Sequence, residues 1–412
     1  MAILDHPVTR RTRAATRLLG PAFVAAIAYV DPGNVATNVA AGATHGYLLV
    51  WVVVVANLMA CVVQYLSAKV GLVTGLSLPE ALRDRMPKVG RLLYWGQAEL
   101  VAMATDLAEV VGGAIALNIL FDLPLLFGAV ITAMVSTALL TVQNRRGQRT
   151  FEQVITGLLA VIAIGFVAGL FVAPPSLPDS VDGLRPAFDG ADSMLLAAGM
   201  LGATVMPHAI YLHSALARDR HGKVDQVRQR ALLIATRYDV GVAMLLAGAT
   251  NLAMLLVAAT SLQGAETGGS LQGAHDAVAD QLGTSVALFF ALGLLASGLA
   301  STTVGGYAGA VVMEGLLRRR VPLVLRRTIT LIPAVVILAA GVEPTTALVL
   351  SQVVLSFGIP FALIPLVILT ARRSVVGPAV NHPLTTLVAV LAMGAVITLN
   401  IVLLSLTIYS WG

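Results

Sequence analysis

Charge is scarce in this chain. Of its 412 residues only 11% are Asp, Glu, Lys or Arg, while 58% are hydrophobic and mean hydropathy is +0.88. Soluble domains carry about 25% charged residues, so a soluble globular protein is excluded. Cysteine is nearly absent: Cys61 stands alone, which rules out an intramolecular disulfide and any zinc site built on several thiolates. Short alternating segments are missing too, and with them the pattern of a membrane-spanning β-barrel. No His-Glu-x-x-His sequence occurs, so nothing marks a zinc hydrolase. The net charge of +5 is too small and too dispersed to indicate nucleic acid.

What is present is a series of apolar runs of about 20 residues, the length that crosses a bilayer as a helix. Eleven can be marked: 18–43, 46–70, 92–118, 124–142, 151–174, 193–218, 232–259, 283–315, 323–341, 345–370 and 384–408. The expected architecture is therefore an all-α polytopic membrane protein with 11 transmembrane helices. Residues 1–17 are polar and Arg-rich, and a full-length apolar run follows them. They read as a cytoplasmic N-terminal tail rather than a cleaved signal.

Basic residues sort sharply across these spans. One face receives Arg10, Arg11, Arg13 and Arg17, then Lys69, Arg83, Arg85, Lys88 and Arg91, then Arg145, Arg146 and Arg149. It also receives Arg218, Arg220, Lys223, Arg228, Arg230 and Arg237, then Arg318 to Arg320 with Arg326 and Arg327, then Arg372 and Arg373. The other face receives Arg185 alone, a split of 25 to 1 among the 26 basic residues. Basic residues mark the cytoplasmic side, which places the N-terminus inside and, after 11 crossings, the C-terminus outside. A multi-pass protein of a bacterial inner membrane is expected.

Two spans are interrupted. Asp31-Pro32-Gly33-Asn34 breaks the first, and Met206-Pro207-His208 breaks the sixth. Leu18 to Val30 is 13 residues and Met194 to Val205 is 12, about 20 and 18 Å of helix at 1.5 Å per residue. Both breaks thus fall near the membrane centre. Five spans separate the two starts, so they enter from opposite faces, the arrangement of two inverted five-helix repeats. Residues 18–174 and 193–370 are read as the repeats, with 384–408 as an extra helix and the whole of 18–412 as one transporter domain. The loops 71–91, 175–192 and 260–282 carry no evident further domain.

The breaks supply ligands. Asp31 offers a carboxylate, Asn34 an amide oxygen, Met206 a thioether, and the unwound turn near Ala203 a free carbonyl. Oxygen donors suit hard cations, and sulfur tilts the set toward transition metals and away from calcium and magnesium. A mid-membrane carboxylate is a functional candidate by default. Taken singly, Met206 reads more readily as a core filler, and Asn34 reads equally as a helix cap.

Span three carries Glu99, Asp106 and Glu109 on one stripe within about 80°. Three acids on one face need cations, protons or water, and Arg220, Arg326 and Arg327 are candidate partners. Static salt bridges are the competing reading. His208 titrates in a useful range, while His213, turned to another face, is read as structural. Asn251 reaches either the centre or a neighbouring helix. The run Gly305-Gly306-Tyr307-Ala308-Gly309-Ala310 is read as close helix packing, and Trp51, Trp95 and Trp411 as interface anchors.

These residues resemble a known family. Asp31-Pro32-Gly33-Asn34, Met206-Pro207-His208 followed by Tyr211-Leu212-His213-Ser214, and Thr105-Asp106-Leu107-Ala108-Glu109 are similar to the Nramp family of divalent-metal transporters. So are Ala296-Ser297-Gly298 through Tyr307-Ala308-Gly309 to Met313-Glu314-Gly315, and Leu350-Ser351-Gln352-Val353-Val354-Leu355-Ser356. The resemblance spans almost the whole chain and implies the LeuT-type inverted-repeat fold. It implies proton-coupled import of manganese or ferrous iron, with cadmium and cobalt as further substrates. Asp31, Asn34, Met206 and the Ala203 carbonyl are the implied ligands, joined by Gln352 in an occluded state. His208 is implied to help the proton leave, with Asp31 and the span-three acids.

Two positions depart from the family pattern, Ala209 after Met-Pro-His and Leu299 after Ala-Ser-Gly. They bear on substrate preference or gating. Neither an enzyme, a prosthetic group nor an obligate protein partner is expected; the partners are metal ions, protons and lipid. The principal rival, an amino-acid transporter of the same fold, fits poorly with an acid in one break and a thioether in the other.

Overall fold

The computed structural model describes residues 20–222, 224–264, 270–319 and 321–411, without the side chains of 142–144, 323–324, 403 and 406–411. Arg10, Arg11, Arg13, Arg17, Lys223 and Arg320, the 1–17 tail and the Trp411 side chain therefore lie outside the described residues.

Among the described residues all regular structure is helical. The first span is α1 (Pro21–Ile27), a 3-10 turn over Ala28–Val30, and α2 (Pro32–His45). Then come α3 (Val50–Thr74), the short α4 (Leu78–Arg83), α5 (Lys88–Phe121), α6 (Leu125–Arg146), α7 (Gln148–Val172) and the short α8 (Leu177–Asp182). The second half holds α9 (Gly190–Thr204), α10 (Pro207–His221), α11 (Gln226–Ser261), α12 (Leu271–Leu282) and α13 (Thr284–Leu317). It ends with α14 (Leu323–Ala339), α15 (Pro344–Ala371), the short α16 (Arg373–Val376) and α17 (Pro383–Trp411).

Every apolar run expected from the sequence is thus helical. Among the described residues eight stretches are long and apolar enough to cross a bilayer by length and composition, counting α9 with α10 as one; Pro21–Val30 and Leu125–Thr141 are apolar but shorter. Helix ends run past the apolar cores, as in α5 and α11, and polar caps rather than hydropathy set the starts of α11 and α15. Asp225 accepts the Arg228 amide at 2.8 Å to start α11, and Glu343 accepts the Thr345 amide at 3.0 Å to start α15. The loops differ from expectation in carrying α4, α8 and α12. Each is opened by a serine cap, Ser77, Ser176 and Ser270, a local signal that hydropathy passes over.

The broken helices α1–α2 and α9–α10 form the centre. Tyr29, Val30, Asp31, Asn34 and Met206 are fully buried. Around them stand α3, α5, α11, α13 and α15, while α17 lies outermost, with only 17% of its apolar window covered. Large apolar side chains point outward, among them Leu93, Leu100, Phe127 and Phe171, as a lipid-facing surface requires.

Small residues set the closest approaches. A Cβ on Gly202 would overlap the Gln352 carbonyl of α15, and one on Gly112 would overlap the Pro32 ring. Backbone on backbone cannot yield as a flexible side chain does, so Gly202 fixes how near α9 comes to α15. Gly202→Ala is expected to lower stability by about 1–3 kcal/mol. A drop in thermal midpoint of detergent-purified protein checks this, and an unchanged midpoint would show that the helices separate freely.

Candidate functional site

Each break follows from one proline. An α-helical carbonyl at position i accepts from the amide at i+4, and proline has no amide hydrogen. Pro32 therefore leaves the Ala28 carbonyl without its helical donor, and Pro207 does the same to Ala203. Asp31 is extended (φ −70°, ψ 169°) and caps α2, its Oδ1 accepting the Asn34 amide at 2.7 Å. Met206 is likewise extended and precedes the first turn of α10, with no capping bond from its side chain.

The two breaks meet at Asn34. Its side-chain nitrogen Nδ2 donates to Asp31 Oδ1 at 2.7 Å and, across the repeats, to the Ala203 carbonyl at 2.9 Å. The Ala28 carbonyl lies 3.5 Å away. Three oxygens, two of them carbonyls freed by proline, converge on one nitrogen. Thr204 Oγ1 donates to Asn34 Oδ1 at 3.4 Å. Asp31 Oδ2 is buried with no hydrogen-bond partner. Gln352 lies against the same turn, since a Cβ on Gly33 would overlap its amide, and its Oε1 is also unpartnered. Met206, three residues after Ala203, is wholly buried. Asp31, Asn34, Ala203 and Gln352 are thus gathered at the crossing of the breaks, with Met206 in the second break.

The remaining loose carbonyls are satisfied by side chains. Asn251 donates to the Tyr29 carbonyl at 2.7 Å and accepts from Asn38 at 3.1 Å, while Ser297 donates to the Val30 carbonyl at 2.6 Å. Asn251 is therefore a support of the first break, and it does what both of its sequence readings allowed, reaching the centre and bonding a neighbouring helix. Ser297 belongs to the Ala-Ser-Gly motif, and its serine-on-carbonyl role shows only in the fold. His213 pairs with Gln64 at 2.7 Å, and Gln64 in turn meets the Tyr29 hydroxyl, the structural role expected of it.

The acids of α5 are partnered by α14. Asp106 pairs with Arg327 at 2.9 Å and Glu99 with Arg326 at 3.1 Å. Arg327 also donates to Ser136 at 2.9 Å and to the Thr302 carbonyl at 2.7 Å. Both arginines are buried, at 7% and 6% exposure, so their charge is spent on these partners inside the protein. Arg220 is a correction: it pairs with Glu152 of α7 rather than with the acids of α5. Beside that pair, Asp239 takes the Gly20 and Ala22 amides at 3.1 Å each and caps α1. Sequence pattern missed Glu152 and Asp239 because each is a lone acid at the edge of an apolar run.

Glu109 is buried with neither oxygen hydrogen-bonded, one turn before Gly112, which touches Pro32. His208 sets Nδ1 3.4 Å from Thr105 Oγ1, next to Asp106, and its Nε2 has no partner. The glycine run of α13, read as close helix packing, instead makes room for charge. Gly305 faces the Glu109 carboxylate, Gly306 faces Arg327, and Gly309 faces the Arg326 guanidinium. Ala209 is fully buried in α10 and Leu299 is half-buried on α13. Among the described residues no three of His, Cys, Asp and Glu cluster as a metal-binding group. At the crossing of the breaks the Asp31 carboxylate stands among amide and carbonyl donors instead.

Breaking one buried pair leaves its partner charged and alone. Arg327→Gln is expected to cost about 3–5 kcal/mol, and adding Asp106→Asn is expected to restore part of it. Thermal unfolding of the two single variants and the double variant measures the coupling.

The comparisons agree with this geometry. Residues 22–406 match the family described as natural resistance-associated macrophage protein-like, or Nramp. The chain is 62% identical over 392 residues to the divalent metal cation transporter MntH of Mycobacterium tuberculosis (strain H37Rv), covering 95% of this chain and 92% of that protein. The crystal structure of the Eremococcus coleocola manganese transporter, in complex with an aromatic bis-isothiourea substituted compound, superposes with a TM-score of 0.84. It is 30% identical and the match covers 97% of this chain and 88% of that one. MHP1, a nucleobase-cation-symport-1 family transporter, matches in fold alone, with a TM-score of 0.61 at 16% identity over 95% of this chain and 93% of its own. The architecture is the LeuT-type inverted-repeat fold, and the protein is a transporter rather than an enzyme. The chain belongs to the Nramp family.

Proposed function

We propose that this chain carries divalent transition-metal ions, manganese and ferrous iron foremost and cadmium and cobalt as well, by alternating access coupled to protons. The observation that carries the reading is the convergence of Asp31 Oδ1, the Ala203 carbonyl and the Ala28 carbonyl on Asn34 Nδ2. Oxygens that surround a partially positive amino group also suit a small cation. Rotation of the Asn34 amide replaces that donor with Oδ1, an additional ligand. Asp31 Oδ2 and Gln352 Oε1, buried without donors, and the Met206 thioether complete a mixed hard and soft set. The names of the relatives, a divalent metal cation transporter and a manganese transporter, point the same way.

The proton is assigned to the groups one turn away. Glu109, His208 and Asp106 lead from the first break along α5 toward Glu99, with Arg326 and Arg327 holding the lower acids in place. From Glu109 to Glu99 is ten residues, about 15 Å along the helix. Arg220, paired with Glu152, contributes at the charge-rich end of α10 instead. In this reading the chain crosses a bacterial inner membrane 11 times with its N-terminus inside. Residues 18–174 and 193–370 are the two repeats, and metal ions, protons and lipid are its partners.

In proteoliposomes, manganese uptake is expected to saturate and to rise with an inward pH gradient. Asp31→Ala is expected to reduce it to background; retained uptake would move the site elsewhere. Met206→Ala is expected to lower cadmium and manganese uptake while admitting more calcium, and an unchanged ratio would remove the sulfur from selection. Glu109→Gln is expected to keep manganese binding by calorimetry while losing the pH-gradient stimulation. If the stimulation persists, the proton travels another way.

A further inference from the structure

Away from the breaks, a cavity of about 660 Å³ opens between the end of α3, the start of α11 and the linker that leads into α17. All three lie on the face that collects nearly every Lys and Arg. Lys69, Arg230, Arg237 and His382 line it, and no Asp or Glu does. Among the described residues none of Lys69, Arg230 and Arg237 has a carboxylate within 4.0 Å. Lys69 and Arg237 both lie over the Tyr65 ring, at 5.9 and 5.2 Å. Like charges brought to one ring without a counter-ion repel, and an anion between them removes that repulsion.

The walls are built rather than incidental. Lys69 is buried, at 4% exposure, and donates to Asn381 Oδ1 at 2.6 Å. Asn381 is itself pinned to the end of α15, its amide donating to the Thr370 carbonyl at 3.1 Å and its Nδ2 to Thr370 Oγ1 at 2.9 Å. The linker is thereby held across the lysine as one side of the cavity.

The mouth is apolar. Val227 and Ile234 line the cavity and are 83% and 55% exposed. They alternate with Arg230 and Arg237 at spacings of three and four, so cations and alkyl groups share one stripe of α11. A free anion has no use for that alkyl surface, whereas an acyl chain does. Basic pockets between helices on the cytoplasmic side suit anionic lipid head groups.

We propose that this cavity is a binding site for an anionic phospholipid of the charge-rich leaflet. Its phosphate is held by Lys69, Arg230 and Arg237, and its chains run along Val227 and Ile234. The full-length protein, delipidated and titrated with phosphatidylglycerol or phosphatidylcholine, is read by native mass spectrometry. Phosphatidylglycerol is expected to bind preferentially. Arg230→Gln with Arg237→Gln removes two exposed cations and is expected to weaken it by roughly twenty-five-fold, about fivefold per charge. The control pair Arg85→Gln and Lys88→Gln removes the same charge from the same face and is expected to change little. Equal weakening by the control, or no weakening by the first pair, overturns the site. Displacement of the lipid by inorganic phosphate at comparable concentration would show a free-anion site and overturn the lipid assignment.

Discussion

Two missing amide hydrogens organise the centre of this protein. Inside a bilayer a backbone carbonyl has no water to turn to, so a helix that loses a donor must find another or not form. Pro32 and Pro207 each remove one, and both lie where a single side chain, Asn34, reaches the two exposed carbonyls and the Asp31 carboxylate together. Without that bridge the breaks would be two unrelated defects in separate helices. With it they are one polar chamber, and the rest of the fold supplies its walls: Asn251 and Ser297 satisfy the neighbouring carbonyls, and Gly112 and Gly33 let α5 and Gln352 come close.

A second polar layer follows from the first. Once Glu109 is placed within a turn of the break, α5 carries acids down its length, and the low dielectric demands counter-charges. Arg326 and Arg327 supply these from α14, but guanidinium groups need volume between packed helices. The glycines of α13 provide it. Composition, packing and charge therefore select one another along this seam, and substitution of any one is felt by the other two.

The parts of this arrangement legible in the sequence were those with a local cause. Proline and glycine beside an acid in an apolar run announce a break wherever they occur, and Asp31, Asn34, Ala203 and Met206 could be named from it. The stripe of acids on α5 follows from helical spacing alone. Partner choice did not follow, because an arginine side chain reaches far enough to choose among several acids and only the fold decides. Of the three candidate arginines, Arg326 and Arg327 do stand on Glu99 and Asp106, whereas Arg220 stands on Glu152 instead. The glycine run was recognised as a place of small residues, yet its tenants could not be, since they come from elements some 200 residues away along the chain for Glu109 and from the following helix for the arginines. The short loop helices escaped because they are polar and amphipathic, and a search for apolar runs is blind to them.

The glycine-rich α13 carries one more consequence. Its six glycines, at 293, 298, 305, 306, 309 and 315, each weaken an isolated helix by about 1 kcal/mol against alanine, so in water this segment would have little reason to stay wound. It persists because the helices packed around it keep water, and so any competing partner, away from its peptide groups. The chain has in effect lent the folding of one of its central helices to its neighbours. Solvents that let water reach that depth should unwind this helix first and take the charged seam with it.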